Sequence, residues 1–211
     1  MANRENIKDY IEFFKKYGEN ENKSLKEKYN RDINSKEFII ECLNAAYQSA
    51  KRNCSGIDQN SIKIAFDKIS ERIREDFFRS DCDFNKLHED ICKEFLNTVK
   101  DKNGKKYTYG IAQKVINLTF KYIYCHDDAE IYEKQFSKCH MALDSFILKH
   151  YGSSEYKWTQ INEDDYNTIK GKIGNGEIKD LTAFQEEFVI WPLLMINERL
   201  KSLNSSVEYI K

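Results

Sequence analysis

The sequence predicts an all-α fold, and three observations support this class. In several segments, apolar residues recur at the i, i+3, i+4 and i+7 positions that form one face of a helix. Sustained alternation of apolar and polar residues is absent, and neither Asn-Gly pair is flanked by strand-like segments. Chain length and turn spacing together predict about eight to ten helices.

Four amphipathic helices are predicted in the first half of the chain, each with an apolar stripe at helical spacing. The stripes are Ile7, Tyr10, Ile11 and Phe14; Ile39, Cys42, Leu43 and Ala46; Ile62, Phe66, Ile69 and Ile73; and Leu87, Ile91, Phe95 and Val99. We expect breaks between helices at 18–22, 54–58, 102–106 and 171–176, where glycine and polar residues cluster.

Local signals also mark where helices begin and bend. Capping-type starts occur at Asn34, followed by Glu37, and at Thr182, followed by Gln185. The single proline, Pro192, lies in FQEEFVIWPLLMINERL, whose nearly continuous apolar character indicates burial. We expect a kink or a junction of two helices at this proline.

The composition is that of a globular protein with little overall charge. A hydrophobic content of 40%, with 13% aromatic residues, is enough for one domain over residues 1–211. The 34 basic and 35 acidic residues give a formal charge of −1, which argues against nucleic-acid binding through bulk positive charge but allows a local basic patch. No stretch reaches the roughly 18 apolar residues of a membrane span, and the start is not signal-like. We expect a cytoplasmic monomer with no membrane contact.

The cysteines predict neither disulfides nor a metal site. All six are scattered, mostly among apolar helical residues, as expected for reduced thiols in a core. No CxxC pair occurs, and the four histidines are not at zinc-like spacing from them. We therefore expect no metal and no cofactor.

One region is clearly basic. The segment 100–122, KDKNGKKYTYGIAQKVINLTFKY, contains six lysines and one aspartate. A helix ending near Lys100, a short turn and a helix starting at Gly110 would form a helix-hairpin-helix over about 90–125. The unpaired N–H groups of the second helix could then hold a phosphate oxygen, and Gly110 would let the backbone approach it.

Lys114 has an unusual position in this helix. It follows Gly110 by four residues, in what we predict to be the first turn, where the helix dipole disfavours a cation. The dipole and partial burial would both favour the neutral amine, which is the nucleophilic form. A solvated lysine without a chemical role is the alternative interpretation.

The stretch GIAQK at 110–114 resembles the Gly-hydrophobic-Gly-x-Lys motif of the helix-hairpin-helix DNA glycosylases. The stretch HMALDSFILKHY at 140–151 is similar to the small-hydrophobic-Asp element of that family, which makes Asp144 the matching aspartate. The interval from Lys114 to Asp144 is closest to that of the archaeal 8-oxoguanine glycosylase branch. The chain departs from the pattern at Ala112, which replaces the second glycine, and at Ala142, where the branch tends to have proline.

The resemblance implies a two-lobed helical domain with an active-site cleft between the lobes. It also implies a DNA glycosylase, possessing a catalytic Lys114 that attacks the sugar C1′ and an Asp144 that assists it. Double-stranded DNA with a flipped modified base would be the partner. The base pocket would contain Glu187 and Trp191, which resemble an acid and a tryptophan of that branch, together with Trp158 and His140. The DNA-binding residues would be Lys105, Lys106, Tyr107, Tyr109, Gly110 and Ala112.

Several alternatives stay open at this point. The helix-hairpin-helix could be a non-catalytic DNA-binding module, with Asp144 a plain N-cap and Trp191 a core residue. An all-helical bacterial defence or interaction protein is a third possibility, although the Arg and His spacing of helical RNases is absent. The target could be oxidised guanine, an alkylated base or a bulky viral base, in repair or in antiviral defence. Whether β-elimination accompanies base release is also undecided.

Overall fold

The computed structural model describes residues 7–21, 31–50, 58–104 and 106–208, with the backbone alone at 16–21 and 201–208. Across these ranges the chain forms nine α-helices and no strand, which confirms the all-α class. The helices are α1 (Lys8–Glu21), α2 (Lys36–Ala50), α3 (Gln59–Arg72), α4 (Phe84–Thr98), α5 (Tyr109–Tyr124), α6 (Glu133–Phe136), α7 (Ser145–His150), α8 (Glu163–Ile173) and α9 (Ala183–Glu208). A π-helical turn, Ile73–Phe77, extends α3, and a 3₁₀ helix, Asp127–Tyr132, precedes α6.

Helix α5 lies at the centre of the fold. It packs chiefly against α2 and α4. All of its 16 residues are buried except Lys114, so protein surrounds it on nearly every side. Its buried polar side chains therefore need hydrogen-bond partners inside the protein.

The apolar stripes of the first four helices are buried, as predicted. Every stripe residue is buried except Tyr10, which is partly buried. The π turn adds Phe77 to this core, and its ring packs against Phe120 and Phe136 with centroid distances of 4.7 and 4.9 Å. Helical periodicity thus identified the inner faces of α1 to α4 correctly.

Two of the predicted breaks are displaced from their expected positions. Helix α1 continues past Gly18, and helix α8 continues past Gly171 for two further residues. A single glycine costs a helix only about 1 kcal/mol, and packing of the rest of the helix outweighs that cost. The predicted break at 54–58 lies almost wholly outside the described residues.

One predicted helix start is confirmed and the other is off by one residue. At α9, the Thr182 N–H donates to the Gln185 side chain, and the Gln185 N–H donates back to the Thr182 hydroxyl. At α2, the Phe38 N–H donates to the Ser35 hydroxyl, so Ser35 rather than Asn34 caps the helix.

Helix α9 runs without interruption through Pro192 over 26 residues. Of the two alternatives predicted at this proline, the junction of two helices is therefore wrong, and the kink stays a prediction. Proline lacks an N–H, so the carbonyl of Phe188, four residues earlier, loses its intrahelical donor while the helix continues. None of the described helices, α9 included, is long and apolar enough to cross a membrane.

Five of the six cysteines lie in the described residues, and all five are buried thiols without a disulfide. Burial raises the pKa of Cys82, Cys92 and Cys139, which keeps these thiols protonated. Cys54 lies outside the described residues. The described cysteines are core residues, as the sequence predicts.

Candidate active site

The structure brings the side chains of Lys114 and Asp144 together. Lys114 Nζ lies 3.4 Å from Oδ2 of Asp144, across 30 residues of sequence. The two side chains are only 14% and 10% exposed. At this separation the amine donates a hydrogen bond to the carboxylate.

The position of Lys114 within α5 differs from the prediction. Thr108 caps this helix and Tyr109 is its first residue, so Lys114 belongs to the second turn. The helix dipole acts mainly within the first turn. The Asp144 carboxylate, rather than the helix end, is therefore the principal charge next to the amine.

Asp144 accepts hydrogen bonds on both carboxylate oxygens. As the N-cap of α7, its Oδ1 accepts the N–H groups of Phe146 and Ile147 at 2.9 and 3.2 Å. Its Oδ2 accepts the indole N–H of Trp191 at 3.1 Å and faces the Lys114 amine. Oδ1 therefore caps α7, as the N-cap interpretation predicts, and Oδ2 faces the amine.

Two tryptophans flank the pair. The Lys114 amine lies 4.4 Å from the centroid of the Trp158 ring, a cation–π geometry. The Trp191 ring stands nearly perpendicular to that of Phe146, with centroids 6.4 Å apart. Both indoles are only partly buried. They therefore offer aromatic surface beside the amine.

A cavity of about 570 Å³ opens beside this pair. Its size is that of a small-molecule pocket. The residues that line it are Phe14, Ser49, Lys114, Leu118, Lys121, Tyr122, Asp144, Ser145, Phe146, Trp158, Glu187, Trp191, Met195, Glu198 and Arg199. Five predicted site residues thus line one cavity: Lys114, Asp144, Trp158, Glu187 and Trp191.

Glu187 forms a buried ion pair at this cavity. Its Oε1 accepts the Lys121 ammonium at 2.9 Å, and its Oε2 accepts the Ala142 N–H at 2.7 Å. The Lys121 amine also lies over the rings of Phe14 and Phe188, 4.4 and 4.7 Å from their centroids. Burial raises the pKa of Glu187, and the Lys121 charge and the Ala142 N–H oppose that rise.

Sequence reasoning missed how the segment before Asp144 is held. Residues 140–144 form neither helix nor strand, and several of their backbone N–H and C=O groups hydrogen-bond to side chains. Asn117 donates to the Met141 carbonyl at 2.9 Å, and Gln113 bonds both the N–H and the carbonyl of Leu143, at 3.1 and 2.8 Å. The detectable signal is the four-residue spacing of polar residues 113, 117 and 121 in a helix that is mostly apolar.

His140 does not line this cavity, in contrast to the prediction. Its ring nitrogens bond the Tyr166 hydroxyl and the Asn85 side chain at 3.0 and 2.9 Å. It borders a separate cavity of about 560 Å³ with Tyr166, Lys170 and Asn85. Burial, with nearby His88, lowers the pKa of His140 to about 2. His140 therefore lies at this second cavity and not at the cavity beside the Lys114 amine.

The start of α5 does not leave the Gly110 N–H free for a phosphate. This N–H donates to the Ile161 carbonyl over 3.1 Å. A Cβ on Gly110 would lie 1.7 Å from the Trp158 carbonyl oxygen. The close approach that the glycine permits is therefore to the chain's own 158–161 segment, and the predicted phosphate contact at this N–H is wrong.

The other predicted DNA-binding residues differ in exposure. Tyr109 and Ala112 are buried, at 7% and 0% exposure, and neither lines the cavity beside Lys114. Lys106 is exposed and Tyr107 is half-buried, and both stay predicted contacts. Lys105 lies outside the described residues.

One group of potential metal ligands occurs within the part of the chain that is described. Ligand atoms of His150, Glu177 and Glu186 lie within 4.8 Å of one another. Glu186 already accepts the Tyr151 hydroxyl on one oxygen and the N–H groups of Glu177 and Ile178 on the other. The fold therefore accounts for this carboxylate without a metal.

No family model matches the chain, and no curated protein or solved structure is significantly similar to it.

Proposed function

We propose that this protein is a DNA glycosylase, in which Lys114 attacks the sugar of a modified nucleotide and Asp144 assists. The observation that carries the proposal is the 3.4 Å contact between amine and carboxylate, beside a cavity that two indole rings line. A paired nucleophile and acceptor in a concave aromatic site is the arrangement that nucleophilic base excision needs. The motif resemblance at 110–114 and 140–151 selects this reaction among others.

The chemistry uses groups whose positions are described. The target base leaves the duplex, at a cost of a few kcal/mol, and enters the cavity against the indole surfaces. Lys114 Nζ attacks C1′ while the bond from C1′ to the base breaks, and the electron pair leaves with the base. The charged carboxylate of Asp144 stabilises the positive charge that builds on the sugar, and as the bond from Nζ to C1′ forms its Oδ2 takes the proton that the nitrogen loses. Ring opening then gives a Schiff base, from which β-elimination cleaves the strand.

Backbone contacts to DNA are proposed for the basic hairpin between α4 and α5. Lys100 and Lys106 form an antiparallel backbone bridge, and Gly104 turns the chain between them with φ of 78°. Lys100, Lys102 and Lys106 are exposed there. On a chain with a net charge of −1, such a local patch gives binding that weakens as salt is added.

Borohydride trapping on duplexes that carry an oxidised, an alkylated or a bulky modified base tests the proposal. We expect one substrate class to give a covalent protein–DNA adduct and free base with the unaltered protein. Lys114→Gln should form no adduct, because the substituted side chain has no amine. The matched control is Lys63→Gln on α3, an exposed lysine that does not line the cavity and should trap as the unaltered protein does.

Asp144→Asn separates catalysis from binding. Asparagine keeps the cap of α7 but carries no charge, so base release should fall by about 100-fold while DNA affinity is retained. Salt-sensitive DNA binding with no base release and no adduct on any substrate would refute the glycosylase and leave the non-catalytic DNA-binding module.

A further inference from the structure

The Gln113 side chain uses its whole hydrogen-bonding capacity inside the protein. Its amide nitrogen donates to the carbonyls of Gly110 and Leu143, at 2.9 and 2.8 Å. Its amide oxygen accepts the N–H of Leu143 and the side chain of Asn117, both at 3.1 Å. Two donors and two lone pairs are all that a carboxamide has, and Gln113 is fully buried.

The Gln113 amide donates to the Leu143 carbonyl and accepts the Leu143 N–H, as one residue of a β-sheet does with the residue opposite it. Gln113 directly precedes Lys114, and Leu143 directly precedes Asp144. The side-chain amide therefore joins the residue before the amine to the residue before the carboxylate. No other described side chain bonds both polar backbone groups of Leu143.

The neighbouring contacts act further from the pair. Asn117 holds the carbonyl of Met141, three residues before Asp144, and Glu187 holds the N–H of Ala142. Each supplies one bond to one backbone group. Removal of either leaves Leu143 attached to α5 through Gln113.

We propose that Gln113 is a positioning residue that fixes the separation of Lys114 and Asp144. The expected effect on the rate of base release rests on the proposed function. The expected effect on the relative position of the two side chains does not. Displacement of a reacting group by about 1 Å can lower a rate by about 100-fold. Loss of the Gln113 bonds should therefore slow the chemical step and leave DNA affinity unchanged.

The test compares Gln113→Met with Gln185→Met. Methionine keeps length and apolar packing but removes the four hydrogen bonds. Gln185 is an equally buried glutamine that bonds Tyr124, Thr182 and Glu133 and does not line the cavity. Gln113→Glu is the second variant, since it keeps the acceptor and replaces both donors with an oxygen that faces two carbonyls.

Base release, DNA affinity and amine methylation are measured for every variant, below its unfolding temperature. Single-turnover base release with saturating protein should fall by about 100-fold in Gln113→Met, with the DNA dissociation constant unchanged. Reductive methylation of the amines by formaldehyde and borane, read by mass spectrometry, should change at Lys114 in both Gln113 variants and stay constant at Lys106. Gln185→Met should leave all three readouts unchanged.

The outcomes separate this inference from the proposed function. Base release in Gln113→Met that stays within about threefold of that in Gln185→Met would overturn the positioning role. Altered Lys114 methylation in a protein that releases no base would support the positioning role and refute the glycosylase. Equal Lys114 methylation in all variants would overturn the positioning role whatever the activity is.

Discussion

The indole N–H of Trp191 donates to Oδ2 of Asp144 over 3.1 Å, and this is the oxygen that lies nearest the Lys114 amine. Oδ1 of the same carboxylate caps α7. One oxygen therefore serves the helix and the other serves the cavity. Trp191 thus contributes a hydrogen bond to the pair in addition to its aromatic surface.

Trp191→Phe should lower single-turnover base release by roughly 10-fold or more, because a hydrogen bond to a charged group contributes about 1.5–3 kcal/mol. The phenyl ring retains much of the aromatic surface, so DNA affinity should change little. Trp158→Phe is the control, since it keeps an aromatic face below the amine and removes no bond to Asp144. Equal rates in Trp191→Phe and the unaltered protein would contradict the role of the indole N–H.

Lys121→Met should lower the free energy of unfolding by about 3–5 kcal/mol, because it leaves the Glu187 charge buried without its partner. The double variant Lys121→Met with Glu187→Gln should lose less, since glutamine is neutral and still accepts the Ala142 N–H. Urea unfolding measures both. Lys68→Met, which breaks the exposed pair with Glu94, should cost under about 1 kcal/mol. A double variant less stable than Lys121→Met alone would contradict this account.

Acid should destabilise the fold through His88 and His140. Burial lowers the pKa of His88 to about 3 and that of His140 to about 2, whereas an unfolded histidine titrates near 6.5. Below about pH 6.5 the unfolded chain binds protons that the folded chain does not, so the free energy of unfolding falls with pH. From pH 7 to 5 the loss is about 2 kcal/mol for each histidine.

Urea unfolding at pH 7 and pH 5 measures this dependence. His88→Gln and His140→Gln should each reduce the difference between the two pH values. His150→Gln, at an exposed histidine, is the control and should leave it nearly unchanged. An unaltered difference in all three variants would show that other groups cause the acid sensitivity.

Gly110→Ala should destabilise the protein by roughly 2–4 kcal/mol, because the added methyl group would meet the Trp158 carbonyl, whose backbone must move. Gly171→Ala on α8 is the matched control. No atom lies within 4 Å of its added Cβ, so alanine there should stabilise the helix by about 0.5–1 kcal/mol. Thermal unfolding of both variants measures the contrast, and similar melting temperatures would contradict the contact at Gly110.

Helical periodicity located the apolar core because it is a local property of the sequence. Leu87 and Phe95 of α4, for example, face the apolar core of the protein, as their spacing predicts. Helix ends were less predictable, since α1 continues through Gly18 although glycine is a poor helix former. A break predicted from glycine alone does not include the stabilisation that the continuing helix gains by packing.

The polar part of the site depends on contacts between distant segments. Spacing alone does not show that Gln113 meets Leu143, or that Gly110 packs on the carbonyl of Trp158. Lys114 and Asp144 were paired through a motif resemblance rather than through periodicity. His140 was misplaced because its bonds to Tyr166 and Asn85, residues distant in sequence, are not visible in residue spacing.

The hydrogen bond from Ala142 to Glu187 has a consequence for evolution at these two positions. A proline at 142, the residue to which the resemblance points, would have no hydrogen to give. Oε2 of Glu187, 45 residues away, would then lack this donor and be available to a ligand in the cavity. The identity of residue 142 therefore determines whether Glu187 is tethered to the main chain, and we expect substitutions at the two sites to be interdependent.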